Sequence, residues 1–325
     1  MKKILFSILS LLLVLNYSYA QITNLQSSLN IEYKGKVIDK NNKSPLIFAD
    51  LVVEDTNIST ITNTEGEFSL KIPNNLSSKN LIITYLGYKE MIIHISSLSN
   101  NSVIKLTLAY TQLSEVNITT PKDAEALVKT MLSKKDENYF KDNVLMVGFY
   151  RETIKKRKKN ASLSEAVVEI YKQPYNSLRK DAIRLLKARK NTNYTRLDTL
   201  ALKLQGGPFS NLYADIIKYP QYIFTEENLS HYSFSFDSPT RINNKHILVV
   251  NFKPRKEITT PLYYGKLFID SETKALTSAI YSLNVENKTL ASALFVRKKP
   301  RKVTVYPTEA NYRVNYRVHN GKWYY

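Results

Sequence analysis

The sequence contains no cysteine. That excludes disulfide bridges, thiolate nucleophiles and a lipid attached at a cysteine. Histidine is scarce: His94, His231, His246 and His319. Three places after them stand Ser97, Phe234, Val249 and Lys322, so the His-x-x-Glu pair of a zinc carboxypeptidase is missing. No His-x-x-x-His spacing offers two metal ligands on one helix face. The 8 glycines form no G-x-G-x-x-G, P-loop or G-x-S-x-G elbow, so no glycine-rich loop cradles a phosphate or exposes a nucleophilic serine. Asp136-Glu137 and Glu226-Glu227 are neighbours in sequence, read as solvated surface because adjacent residues diverge on a strand. A glycosidase-type carboxylate pair assembled from distant residues stays open. The expectation is no catalytic, cofactor-binding or metal-binding residue, and no cofactor. Past the first twenty residues no run is long and apolar enough to cross a bilayer as a helix.

What the chain does have begins with a targeting segment. Lys2 and Lys3 precede an apolar stretch from Ile4 to Leu15, and Ser18-Tyr19-Ala20 is a small-x-small cleavage site. An h-region of that length is secretory rather than membrane-spanning, so residues 1–20 are expected to be removed and the mature chain to start at Gln21. The apolar fraction of 43% and charged fraction of 23% suit a globular protein, and 325 residues suffice for two domains with their own cores. The 23 tyrosines and 12 phenylalanines favour strands.

Charge divides the chain. Residues 21–119 hold 8 Lys/Arg against 9 Asp/Glu, whereas residues 120–325 hold 37 against 19, a net +18 of the total +19. Such an excess either keeps a surface soluble by self-repulsion or attracts an anionic partner. For an exported protein that partner is an anionic lipid, an envelope glycan or an acidic outer-membrane protein rather than nucleic acid.

Within residues 21–119, short strand signals recur about every 8–12 residues, the pattern of an antiparallel sandwich. Asn63, Glu65 and Gly66 make a turn, after which Phe68, Leu70 and Ile72 point to one face and Glu67, Ser69 and Lys71 to the other. Leu81–Tyr85 is a mostly apolar strand that ends near Gly87, where the backbone bends or is closely approached. Gly35-Lys36-Val37-Ile38-Asp39, Pro45-Leu46-Ile47-Phe48-Ala49-Asp50, Thr62 to Leu70, Tyr85-Leu86-Gly87-Tyr88 and Leu113-Ser114-Glu115-Val116 together resemble the carboxypeptidase regulatory-like domain. The resemblance implies a transthyretin-like β-sandwich over residues 33–119. Such modules are common in exported proteins of Gram-negative bacteria and sit at the front of TonB-dependent receptors. They are accessory domains, so no peptidase activity transfers. In those receptors a plug and barrel follow; here about 200 residues cannot supply the ~20 strands of such a barrel.

Residues 120–325 read as a basic α+β domain. Thr120-Pro121-Lys122-Asp123 is a helix start, with Thr120 as cap and Pro121 in the first turn; Ala126, Leu127, Val128, Met131 and Leu132 give the apolar face. Long strands follow at 144–155 and 161–171, the first covered on both faces. Residues 181–188 lean to strand, and 197–204 is ambiguous. Gly206-Gly207-Pro208 breaks the pattern before a short helix at 209–217 that Pro220 ends. Strands are expected at 230–236, 246–252, 262–269, 276–283, 303–306 and 312–318, with turns at Asn243-Asn244 and 270–273 and a helix at 286–295. His319-Asn320-Gly321-Lys322 is a hairpin turn, and Trp323-Tyr324-Tyr325 starts a returning strand; the protein is expected to continue by a few strands. The fold class is therefore mainly β: an antiparallel sandwich, then a curved antiparallel sheet with a few packing helices. In outline the second region resembles the half-barrel of periplasmic lipoprotein carriers, and the uncharacterised region that follows regulatory-like domains in exported proteins of the same bacteria.

Two basic clusters stand out as anionic-surface sites. Lys155, Lys156, Arg157, Lys158 and Lys159 occupy a hairpin tip; Arg297, Lys298, Lys299, Arg301 and Lys302 lie between a helix and a strand. The same charges also suit loop tips that keep sheet edges soluble. The leading reading is a non-enzymatic envelope protein in the periplasm or on the periplasmic face of the outer membrane, binding an anionic or apolar component or a partner protein. The alternative is a periplasmic carrier of lipid or lipoprotein acyl chains, which needs an apolar cavity between sheet and helices. A hydrolase, needing convergent carboxylates or histidines in one cleft, stands third.

Overall fold

The structure, a computed structural model, describes residues 30–325 apart from Asn57, Leu86, 109–122, 157–158, 194–202, 225–227, 243–244 and 257–260. The targeting segment, Thr120 to Lys122, Leu113 to Val116, Glu226-Glu227 and the Asn243-Asn244 turn thus lie outside the described residues. The chain falls into two compact units, divided between Val116 and Asn117.

The first unit holds seven strands: β1 (Asn30–Asp39), β2 (Asp50–Val53), β3 (Ser59–Ile61), β4 (Glu67–Pro73), β5 (Asn80–Thr84), β6 (Met91–His94) and β7 (Ser102–Leu106). They form two sheets, ordered β4-β1-β7 and β3-β2-β5-β6. One pair departs from the antiparallel expectation: β7 runs parallel to β1. Phe68, Leu70 and Ile72 of β4 are buried with Val37, Leu51, Val53, Leu81 and Ile83, so side chains of both sheets share one core. The turn before β4 is built as its residues require. Asn63 Oδ1 accepts the backbone N–H groups of Glu65 and Glu67, and Gly66 sits at φ 73°. A Cβ on Gly66 would lie 2.6 Å from the Val37 carbonyl, so only glycine fits. Tyr88 donates to Asp39 Oδ2 at 2.6 Å, tying the two phrases 35–39 and 85–88 together across 49 residues. Phe68→Ala should destabilise this unit by about 3–5 kcal/mol through the cavity it leaves. Far-UV circular dichroism should show an earlier transition, and the fluorescence of Trp323, which lies in the other unit, should be unmoved. A parent-like dichroism melt would contradict the core assignment.

In the second unit Asp123, not Thr120, caps α1 (Ala124–Ser133), accepting the Glu125 N–H at 2.8 Å. Its buried face is Ala124, Leu127, Val128 and Met131; Ala126 is exposed. α2 (Lys135–Asn138) leads to the buried Tyr139. Then come β8 (Val144–Lys156), β9 (Lys159–Lys172), β10 (Ala182–Thr192), β11 (Lys203–Leu204) and α3 (Pro208–Leu212). The helix stops at Leu212, and Pro220 opens a 3-10 turn instead of ending a helix. β12 (Tyr232–Ile242), β13 (Lys245–Pro254), β14 (Tyr263–Asp270), β15 (Leu276–Leu283), α4 (Lys288–Phe295), β16 (Val296–Lys298), β17 (Asn311–Asn315), β18 (Arg317–His319) and β19 (Lys322–Tyr324) complete it.

The chain is mainly β with several antiparallel sheets, four helices and no closed barrel among the described residues. The strands of the second unit divide between a sheet β10-β9-β8, a sheet β12-β13-β14-β15-β17 and two short ribbons. Residues 303–306 are not a strand, although they alternate in polarity. Ser292 Oγ of α4 donates to the Val305 carbonyl, and no strand pairs with this stretch. The core lies on the five-stranded sheet, where Leu127, Val128 and Met131 of α1 meet Phe224, Tyr232, Phe252 and Leu267. Asn320 (φ 49°) and Gly321 (φ 73°) make the tight β18–β19 hairpin, and Trp323 of β19 is buried against this core.

Candidate binding groove

The register of β8, β9 and β10 sorts their side chains onto two faces. One face carries the rungs Met146–Ile170–Ile183, Gly148–Val168–Leu185, Tyr150–Ala166–Ala188 and Glu152–Ser164–Lys190. Here Pro208 and Phe209 of α3 stand over the sheet and leave a groove of about 540 Å³. The Gly206-Gly207-Pro208 break places them. Gly207 takes φ 101° as the residue before α3, and Gly206 lies close to the Glu152 carboxylate. Small residues, Ala166 and Ala188, make the floor; Val168, Leu185, Phe209 and Tyr150 make the walls. Burial and the Glu152 carboxylate together push the Tyr150 hydroxyl up to about 12, so it remains a donor to Glu152 at 2.8 Å. The charged lining residues are Glu165, Arg189 and Lys190. Glu165 is bridged by Arg151 at 2.7 Å and by Arg189. Burial raises the proton affinity of Glu165, but the two guanidinium groups outweigh it and hold the carboxyl below its ordinary range. Lys190 has no ion pair among the described residues.

The opposite face overturns the expectation that β8 is covered on both sides. Leu145, Val147 and Phe149 are 60%, 63% and 58% exposed. Alternating apolar residues on both faces of a strand show only what could be buried, not that a neighbouring layer exists.

Beyond Ile170 the groove face runs into a buried polar knot. Lys172 Nζ donates to Asp181 Oδ2 at 2.9 Å and to Asp215 Oδ2 at 2.6 Å. Asp215 also accepts Tyr175 OH and Tyr316 OH, each at 2.9 Å, and the Lys218 N–H at 3.1 Å. The Asp181 carboxylate takes the Gln173 N–H at 2.7 Å. The ammonium of Lys172 also lies over the rings of Tyr175, Tyr219 and Tyr325, 5.1–5.7 Å from their centroids. Burial disfavours the charge on Lys172, but the two aspartates prevail and its pKa is raised. Lys218 goes the other way: burial lowers it, while its Nζ donates to the Pro174 and Ser177 carbonyls at 2.5 Å. Among the described residues no buried side-chain polar atom lacks a partner. A catalytic carboxylate needs a free lone pair and a route for substrate. Asp215 has neither: it is 0% exposed, and neither it, Lys172 nor Asp181 lines the groove. The arrangement holds the segments 172–181 and 211–219 together.

The sequence-derived basic residues fall in two places. Lys155 and Lys156 end β8 and Lys159 opens β9, with Lys156 paired to Lys159; Arg157 and Lys158 lie outside the described residues. Arg297 and Lys298 lie on β16, which pairs with β11 rather than with the three-stranded sheet. Lys299 donates to the Val303 carbonyl at 2.7 Å, and Arg301 and Lys302 are exposed in the next turn. Sequence reasoning missed a third display: Arg184, Lys187, Arg189 and Lys190 are exposed along the edge strand β10. Their spacing was the available signal. The four histidines lie on separate elements, and no group of His or carboxylate residues suited to a metal occurs among the described residues.

A family model described as the CarboxypepD_reg-like domain matches residues 33–118. The first unit therefore carries a carboxypeptidase regulatory-like domain, a non-catalytic type of module, as its motifs implied. No curated protein matches the chain. A crystal structure of a protein of unknown function from Bacteroides fragilis NCTC 9343, described as thought to be membrane-associated, aligns over 87% of this chain and 95% of its own. It does so at 11% identity and a TM-score of 0.20, too slight a likeness to carry over fold or function. No described helix is long and apolar enough to cross a membrane.

Proposed function

We propose that the protein is an exported, non-enzymatic component of the envelope of a Gram-negative bacterium. Its first unit serves as an interaction or stabilising module, and its second docks on an anionic surface such as a lipid bilayer. The observation that carries this reading is where the second unit keeps its charge. The buried charges of the Lys172 knot neutralise one another, while Lys155 and Lys159 at the β8–β9 hairpin end and the cations of β10 are exposed. Each basic residue near an anionic bilayer contributes roughly 1 kcal/mol. A second reading, a carrier of acyl chains, is favoured by the apolar groove. The space between α1 and the five-stranded sheet is filled by aromatic side chains, so a ligand has no room there.

Replacing Lys155, Lys156, Arg157, Lys158 and Lys159 with glutamine should weaken co-sedimentation with anionic vesicles and flatten its dependence on salt. Retention at low salt equal to that of the parent would count against docking through this hairpin. So would equal retention on vesicles of zwitterionic lipid.

A further inference from the structure

We infer that the groove between β8-β9-β10 and α3 holds the hydrocarbon chain of a single-chain anionic lipid, with the headgroup at Lys190. The inference rests on the envelope reading for its ligand class but not on surface docking.

The groove is polarised along its length. At one end, Ile170 and Ile183 run into Lys172 and Asp181, which are buried beneath Tyr175 and Tyr219, so the trough is blind there. In the middle only alanine side chains rise from the floor. At the other end the next rung is polar, Glu152–Ser164–Lys190, with the Glu152 carboxylate taken up by the Tyr150 hydroxyl at 2.8 Å. From Ile170 to Ser164 is roughly 20 Å along the strand, the reach of an extended acyl chain. A volume of about 540 Å³ is that of a small-molecule site. Leu185 (60% exposed) and Phe209 (48% exposed) stand on its rim, large apolar groups that water penalises until something covers them.

The charge decides which occupant suits. Glu165 is already held by Arg151 and Arg189, so the lining keeps one cation, Lys190, unspent among the described residues. A neutral hydrocarbon leaves that ammonium without a counter-charge, and a peptide strand presents no terminal anion after an unbroken apolar length. A fatty-acid carboxylate or lysophosphatidate supplies both parts in the right order.

The test uses the mature full-length protein and a fluorescent fatty acid displaced by myristate, by myristyl alcohol and by acetate. Myristate should displace the probe, the alcohol should do so about fivefold less well, and acetate should not. Ala188→Trp fills the floor from an exposed edge strand, where the fold tolerates bulk; it should weaken myristate by about tenfold or more. Lys190→Gln should bring myristate down to the level of the alcohol and leave the alcohol unchanged. Circular dichroism establishes that both variants are folded. Absence of probe binding, or binding indifferent to Ala188→Trp in the folded variant, overturns the site. Equal affinity for myristate and alcohol in the parent overturns the headgroup assignment. Vesicle co-sedimentation of Ala188→Trp should match the parent, so failure of the groove and failure of surface docking register separately.

Discussion

Asp215→Ala is expected to unfold the second unit at urea concentrations the parent withstands, at a cost of about 3–5 kcal/mol. The carboxylate is fully buried and accepts four hydrogen bonds, from Lys172, Tyr175, Tyr316 and the Lys218 backbone. Alanine leaves an ammonium 3% exposed with Asp181 as its remaining carboxylate, and orphans the O–H protons of Tyr175 and Tyr316, whose oxygens keep only the Tyr325 and Ile217 N–H groups. Each orphaned hydroxyl carries its own desolvation penalty. A domain of this kind has roughly 5–15 kcal/mol in hand, so the loss is a large share of it. Asp215→Asn keeps the shape and one acceptor and should fall between the two. Trp323 is the chain's one tryptophan and is buried in this unit, so its fluorescence follows the second unit alone. A urea midpoint within error of the parent's would show that the knot contributes nothing to stability. The first unit, followed by dichroism, should be unaffected.

That knot also marks the limit of what the sequence discloses. The sandwich was legible because its signals are local: Asn63 and Gly66 turn the chain, and Phe68, Leu70 and Ile72 alternate into the core. The strands expected at 144–155, 161–171 and 276–283, and the helix expected at 286–295 and found at Lys288–Phe295, also rest on periodicity within one segment. The knot has no such signature. Lys172, Asp181 and Asp215 read as three ordinary surface charges until the fold brings together residues 43 and 101 positions apart. The groove was hidden for the opposite reason. Ala166 and Ala188 are unremarked small residues in strands, and Gly206-Gly207-Pro208 reads only as an interruption. Their meaning appears when α3 is set over the face they share. The failed strand at 303–306 belongs to the same category. Alternation licenses a strand, but a strand needs an edge to pair with, and that is a property of the whole sheet.

Raising the pH should denature the second unit cooperatively between about pH 10 and 12, and the tyrosines supply the reason. Burial, with the Asp215 charge behind it, holds Tyr139, Tyr175 and Tyr316 well above their ordinary value of 10. Burial also pushes Tyr232 and Tyr312 up to about 12, and raises Tyr219, Tyr281 and Tyr325. A group whose folded pKa lies above its unfolded one contributes in full below the unfolded pKa and loses that contribution as pH rises through the gap. Above pH 10 the unfolded chain sheds phenolic protons that the native state retains, so each pH unit favours unfolding by about 1.4 kcal/mol per tyrosine. Tyr139, Tyr175 and Tyr316 therefore all draw on the stability of the unit in the same direction as the pH climbs above 10. Lys172 acts in the same direction, because its raised pKa means that the ammonium stabilises the fold below 10.5 and is progressively lost above it. Tyrosinate absorbance should therefore rise in two stages: a gradual one from tyrosines at the surface, then an abrupt one that coincides with the change in Trp323 fluorescence. Asp215→Ala should shift the abrupt stage to lower pH, because the unit then starts from less stability. A single smooth titration of all the tyrosines through pH 12 with Trp323 undisturbed would mean that these phenols are open to hydroxide, and that the aromatic core does not have the density described for it.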